Sequence, residues 1–181
     1  MIPSLETKRL ILRGVELTDA VSWQKNFAHF EIIRHLSAAV PWPYPEDGAE
    51  FFIKHLVLPE QGKTRWCWGI FLKSDLSELV GAVELFHPGK PENRGFWLAR
   101  KCWNQGLMTE AVGPVMDFAF TTLNLESLIF ANAVGNTRSR RVKEKTGATW
   151  VENLPAKLVD PAYKESEYWK LTKEAWLSRS L

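Results

Sequence analysis

The chemistry in this sequence is concentrated between Gly95 and Ala111. The run Gly-Phe-Trp-Leu-Ala-Arg-Lys-Cys-Trp-Asn-Gln-Gly-Leu-Met-Thr-Glu-Ala reads as a strand, a polar loop and a helix starting near Gly106. The first N–H groups of a helix have no partner within it. The aligned peptide dipoles add roughly half a positive charge at the same end. Together they make an anion site suited to a phosphate or pyrophosphate. Gly106 permits close backbone approach and Thr109 adds a hydroxyl donor. On pattern alone, the segment is equally the helix start of any α/β protein. It is a poor Rossmann loop, because Gly106 stands alone where G-x-G-x-x-G is needed. The Gly-Lys-Ser/Thr of a Walker loop is absent.

A second group lies on the basic stretch 136–147. Asn136 suits a helix N-cap. Ser139, one turn further in, is by type a solvated or back-bonded hydroxyl. Arg138, Arg140, Arg141, Lys143 and Lys145 make a strongly positive helix, with Arg140 and Glu144 spaced for an i,i+4 pair. Glu84 falls on a predicted strand with Val80, Ala82 and Phe86 on its own face. A carboxyl there has its pKa raised by burial, unless it serves as the partner of a nearby arginine. Glu92 is a further acid in the following turn. Cys67 and Cys102 form no CxxC pair, and His29, His35, His55 and His87 have no metal-ligand spacing, so no metal site is expected. Two distant cysteines fit reduced thiols of a cytoplasmic protein.

The elements that position these groups follow from periodicity and breakers. Residues 7–13 read as a strand with Leu10 and Leu12 on the face of Lys8. Thr18-Asp19 caps a helix to about Phe27, the proline run 41–45 breaks regular structure, and a second helix spans about 46–58. Residues 65–73 and 79–87 form a hairpin about the polar turn 74–78, and His87–Pro91 makes another turn. A strand over 94–99 leads through the loop 100–105 to a helix over 106–123. Leu107, Ala111, Pro114 or Val115, and Phe118 make its apolar stripe, and Pro114 should bend it. Then come a strand over 127–133, the helix 136–146 stopped by Gly147, strands near 148–153 and 165–171, and a last short helix opened by Thr172. This order predicts one α/β domain over 1–181, a mixed and mostly antiparallel sheet with helices on both faces.

Composition agrees. The 181 residues carry 45% hydrophobic and 24% charged side chains and a net charge of +2, too mild to argue for nucleic acid. Nine tryptophans suit a sheet-rich body with an apolar cleft and leave a homodimer surface open. No apolar run near the N-terminus is long enough for a signal peptide or membrane span.

Trp103-Asn-Gln-Gly-Leu-Met-Thr-Glu-Ala111 resembles the acyl-CoA loop of the GNAT superfamily of N-acetyltransferases, within it the branch that acetylates ribosomal-protein N-termini. The likeness covers nearly the whole chain. Leu5–Arg13 is similar to that branch's opening strand, Pro43–Asp47 with Phe51–Ile53 to its second helix, Asn136–Gly147 to its Asn-x-x-Ser helix, and Ser166–Trp176 to its closing strand and helix. The sequence departs at Asn104, which replaces the first glycine of the loop, and at Met108, which replaces a small residue.

The resemblance implies acetyl-CoA as co-substrate and a sheet splayed at the acyl-CoA cleft. Backbone N–H groups of Asn104, Gln105, Gly106, Leu107, Met108 and Thr109 would hold the pyrophosphate. The strand Phe96-Trp97-Leu98-Ala99 would pair with the pantetheine amides, and Asn136 would bond the same arm. Ser139 would donate a proton to the departing thiolate. Arg141 is the first choice for the 3′-phosphate. The tyrosine that other branches use falls at Lys143. The acidic residue that the resembling branch carries after its last glycine falls near Leu158 and does not transfer; Glu84 and Glu92 are the candidates for the base. The loop 37–47, with Trp42 and Tyr44, would line the acceptor side. The implied acceptor is a protein N-terminal α-amine. A polyamine, an aminoglycoside or an amino-acid derivative, or a non-catalytic CoA-binding module, stays open.

Overall fold

The computed structural model describes residues 2–87, 89 and 92–179. Alternation in the first strands fixes two opposite apolar faces. The strand β1 (Leu5–Glu6) turns back at Thr7 onto β2 (Leu10–Gly14), with Leu5 opposite Leu12. The strand expected over 7–13 is therefore a hairpin, and Lys8 lies in its turn. Thr7 closes that turn by donating its amide to the Leu10 carbonyl and accepting from the Leu10 amide at its hydroxyl oxygen, both at 3.0 Å. Two further strands, β3 (Arg65–Leu72) and β4 (Asp75–Phe86), follow in antiparallel order, and β5 (Arg94–Leu98) completes a five-stranded sheet. Leu10, Leu12, Trp66, Trp68 and Ile70 share one apolar cluster; Ile11, Cys67 and Phe71 join the other.

The β3–β4 connection is tighter than the polar run suggests. Asp75 through Glu78 belong to β4, so the turn is only Lys73-Ser74. Register shifts around Phe71 put Leu79 on the face of Phe71 and send Val80 to the opposite cluster. Glu84 thus shares its face with Ala82 but not with Val80. Of the turn expected over 87–91, Pro88, Lys90 and Pro91 lie outside the described residues.

Helices cover both faces. On one side lie α1 (Ala20–Phe27), a four-residue α2 (Phe30–Ile33), and α3 (Gly48–Phe52), which runs into a π-helical turn at Ile53–Val57. Trp23, Phe27, Ile33 and Ile53 bury against Phe71, Leu79 and Trp97. Sequence periodicity misses α2 because four residues barely exceed one turn. On the other side, α4 (Leu107–Asp117) buries Leu107, Ala111, Val112, Val115 and Met116. Pro114 stays inside α4, whose continuation widens to a π-helical turn over Phe118–Thr122.

The remaining strands, β6 (Ser127–Ala133), β7 (Thr149–Pro155) and β8 (Glu165–Thr172), make a separate antiparallel sheet ordered β6-β8-β7. Between β7 and the chain before it lies α5 (Thr137–Lys145), and α6 (Lys173–Ser178) follows β8 with Thr172 accepting from the Ala175 amide. The two sheets meet at Asn93. Its amide donates to the Ile129 carbonyl, and its Oδ1 accepts from the Ile129 amide, both at 2.8 Å. Among the described residues no ladder joins β5 to β6 beyond that point. The ladders on both sides are antiparallel, and the sheet is split where the family resemblance implies a splay. No helix among the described residues is long and apolar enough to cross a membrane.

Candidate active site

The free edge of β5 is set by register. Phe86 donates to the Asn93 carbonyl at 2.9 Å and Ala99 to the Val80 carbonyl at 2.8 Å, with unbroken pairing between them. Alternation in an antiparallel ladder then turns the backbone groups of Arg94, Phe96 and Leu98 away from β4 and into the split. Leu98 already uses its carbonyl there, accepting from Trp103 Nε1 at 2.7 Å. Trp97 and Ala99 spend their backbone groups on β4, and the Trp97 indole packs edge-on to Trp23 and Phe27 on the far face.

At the end of this edge the chain makes an amide cradle. Asn104 has φ 59° and Gly106, the N-cap of α4, has φ 74°. Left-handed residues alternating with right-handed ones point successive N–H groups into one concavity. Among the described residues no acceptor takes the amide hydrogens of residues 104–109; the first helix bond runs from the Glu110 amide to the Gly106 carbonyl at 3.0 Å. Six orphaned donors at a positive helix end fit a pyrophosphate. Asn at 104 keeps the left-handed geometry a glycine would give, since Asn is enriched there. The Met108 side chain turns into the core of α4, which leaves its amide free.

Across the split stands α5. Asn136 caps it, its Oδ1 accepting from the Ser139 amide at 3.3 Å. That uses the carbonyl oxygen and leaves the amide NH2 as a donor. Ser139 is buried at the cleft wall, and Lys143 Nζ donates to its Oγ at 2.9 Å. The Arg138 guanidinium lies 3.8 Å over the Trp103 ring, reaching from α5 to the loop before α4. Arg141 and Lys145 line the same cleft, whose volume is about 600 Å³. Arg140 does not pair with Glu144 as its spacing suggests. It grips the buried Glu167 of β8 by three hydrogen bonds of 2.7–3.2 Å, because the sheet brings a desolvated carboxylate within reach.

Trp97, Leu98, Asn104, Gly106, Leu107, Met108, Thr109, Asn136, Ser139 and Arg141 all reach this one cleft. Ala99, Gln105 and Glu84 are not among its lining residues. Gln105 sends its side chain to the Lys101 carbonyl. Glu84 lies on the far face, 3.8 Å from Arg65 Nε and beside Cys67. Burial raises its pKa and the Arg65 charge opposes the rise. Glu92, by contrast, lines the cleft, and burial raises its pKa against the pull of Lys143. Trp42 and Tyr44 are not among the cleft's lining residues and pack on Phe30 and Phe27. Glu31, His35 and Ser37 line the cleft, beside a strap where Ala38 donates to the Lys157 carbonyl and Val159 to that of Leu36. No cluster of metal-ligating side chains occurs among the described residues.

A split sheet, a free strand edge and an amide cradle define an α/β fold with a cleft for a long phosphorylated substrate. Residues 9–149 match the acetyltransferase (GNAT) domain family; the chain belongs to it and is an acetyl-transferring enzyme. YdaF of Bacillus subtilis, whose name describes a ribosomal N-acetyltransferase, is 26% identical over 111 residues, and the match spans 60% of each chain. The structure superposes on the ribosomal-protein-S5-alanine acetyltransferase of Vibrio fischeri with a TM-score of 0.79 at 17% identity, covering 97% of this chain and 99% of that one. RimJ of Mycobacterium smegmatis, solved with a CoA disulfide, gives 0.79 at 20% identity over 94% and 85% of the two chains. At these identities the likeness is one of fold.

Proposed function

We propose that this enzyme moves an acetyl group from acetyl-CoA to a primary amine by direct attack, and that the amine is a protein N-terminal α-amine. The observation that carries the first half is the orphaned amide run 104–109 at the end of the free β5 edge. In this reading the cradle holds the pyrophosphate, and Arg141 and Lys145 meet the remaining phosphate. Phe96 and Leu98 offer the backbone groups that pair with the pantetheine amides, and the Asn136 NH2 donates to the same arm. The co-substrate supplies an activated thioester carbonyl at the split, beside Ser139. In the same reading Ser139 Oγ protonates the departing sulfur and Glu92 takes the amine's proton; that both line the cleft supports these roles. Holding the acceptor and the carbonyl together supplies much of the rate.

The acceptor class follows from proton cost. A lysine amine of pKa about 10.4 costs about 4.6 kcal/mol to deprotonate at pH 7, whereas an α-amine near 7.7–8.0 costs about 1–1.4 kcal/mol. A single carboxylate base suits the second better. The names of YdaF and the Vibrio fischeri enzyme support the same class. The buried thiols of Cys67 and Cys102 fit a reducing compartment, so the cytoplasm is the proposed location.

The test is thiol release from acetyl-CoA with a panel of N-terminal peptides, lysine peptides, polyamines and aminoglycosides. Turnover on peptide α-amines supports the proposal. Turnover only on small amines overturns the acceptor class. Binding without turnover on any amine makes the protein a CoA-binding module, and no thermal shift with CoA removes the cleft assignment altogether.

A further inference from the structure

Resting on the acetyl-transfer reading, we infer that Lys143 is the positioning residue and proton source behind Ser139, so that the leaving sulfur is protonated through a Lys143–Ser139 relay. The geometry is specific. The two residues stand one turn apart on α5, and Lys143 Nζ donates to Ser139 Oγ at 2.9 Å. Lys143 is 1% exposed and Ser139 8% exposed, and both belong to the cleft lining. Among the described residues no carboxylate forms an ion pair with Nζ. The neighbouring Glu167 is occupied by Arg140 and by Trp169 Nε1, at 2.7 and 3.0 Å.

A buried lysine without a salt bridge is costly to keep, and lysine is seldom fully buried unless it is paired. Its surroundings explain how the charge is held and why it leaves easily. Phe96 of β5 presents its ring 5.8 Å from Nζ. Arg94 of the same strand is a like charge, while Glu92 and Glu167 are opposite ones. Tyr168 and Ser166 of β8 line the same part of the cleft. Burial first, and the Arg94 charge second, bring the ammonium well below the usual lysine range despite the two carboxylates. An ammonium held this way gives up its proton more readily than a solvated one, and a side chain so placed can act as a general acid.

The step balances without any further reagent. The acceptor nitrogen forms its bond to the acetyl carbon and loses its extra proton to Glu92 or water. The carbon–sulfur bond breaks, and the electron pair stays on sulfur. Sulfur takes the hydroxyl proton of Ser139, and Ser139 Oγ takes a proton from Lys143 Nζ. Lys143 is left neutral and is recharged from solvent once product has gone.

The experiment is the pH dependence of kcat for the wild type, Ser139→Ala, Lys143→Met and the double variant, with thermal melts to confirm folding. The relay predicts an alkaline fall in wild-type kcat that disappears in both single variants. Each single variant lowers kcat by about a hundredfold, at the low end of general acid effects because thiolate leaves readily. KM for acetyl-CoA stays unchanged, and the double variant is no slower than either single one. Lys143→Arg, which keeps the charge but not a releasable proton, fails to restore kcat. A Lys143→Met enzyme with wild-type kcat and the same alkaline limb overturns the relay while leaving acetyl transfer standing. If Lys143→Met does not fold, Ser139→Ala decides alone: unchanged kcat and limb in that variant overturn the relay too. A wild type that acetylates no amine overturns both readings.

Discussion

Arg9 holds Glu110 by two hydrogen bonds, from its backbone amide at 2.8 Å and from Nε at 2.6 Å. Thr7 Oγ1 adds a third at 2.6 Å. The turn between β1 and β2 is thereby fastened to the first turn of α4, which presents the amide cradle. Burial alone would raise the Glu110 pKa, but the Thr7 and Arg9 donors outweigh it and lower the value.

Removing that carboxylate should loosen the start of α4. Hydrogen bonds to charged groups are worth about 1.5–3 kcal/mol each, and Arg9 is partly solvated, so Glu110→Ala should cost about 2 kcal/mol in a urea melt. The pH signature has a definite sign. A carboxyl with a depressed folded pKa stabilises fully above its unfolded value near 4.3, and the contribution is lost as pH falls through the folded value. The wild type and Glu110→Ala should therefore converge in stability at acid pH. A difference that persists there means the charge is not what anchors the helix.

Gly106 offers a cleaner test of the cradle. A Cβ placed on it would meet nothing closer than Arg9 Nη2 at 3.8 Å, so Gly106→Ala adds no clash. Its cost is the left-handed backbone, about 1–2 kcal/mol for an L-residue. If the backbone relaxes to escape that cost, the amides lose their convergence. CoA affinity by calorimetry should fall by about tenfold, which corresponds to about 1.4 kcal/mol. Unchanged affinity shows that these amides do not hold the anion.

The sequence made the helix start at Gly106 and the cap at Asn136 legible, because each depends on local chemistry, whereas the split of the sheet came from the family resemblance. What it hid depends on tertiary register. The cleft-facing backbone groups are those of Phe96 and Leu98 rather than Trp97 and Ala99 because Asn93 and Ala99 fix the phase of the β4–β5 ladder. Glu84 turned to the far face because it follows Val83 into the alternation. Arg140 chose Glu167 over Glu144 because a buried carboxylate outbids a solvated one. The Lys143–Ser139 bond did have a sequence signal, the i,i+4 spacing, but nothing in the chain alone says that this helix face is buried.

Asn136 separates two roles that coincide in one side chain. Its Oδ1 caps α5 and its NH2 is free for the pantetheine arm. Asn136→Ala should cost about 1 kcal/mol of stability as a lost cap. Asn136→Asp keeps a capping oxygen and loses the donor. That variant should melt like the wild type yet raise KM for acetyl-CoA. An Asn136→Asp enzyme with unchanged KM confines Asn136 to capping.

His35 supplies the last prediction. Its Nε2 is buried at the cleft wall without a hydrogen-bond partner among the described residues. Burial first, then the charges of Arg34 and Arg138, lower its pKa to about 4, with Asp160 opposing. The ring is therefore neutral at pH 7 and adds no positive charge to the cleft wall. The unfolded chain, titrating near 6.5, binds more protons than the folded one between that value and about 4. Stability must then fall as pH drops from 6.5 toward 4. In His35→Phe, which cannot take up the proton, that slope should flatten, and the ring keeps a contact with Tyr163, whose centroid lies 4.6 Å from that of His35. Urea melts at pH 7 and 5 for the two proteins measure the difference directly. Equal slopes would mean that His35 titrates alike in the folded and unfolded chains, and that the cleft wall carries its charge as pH falls.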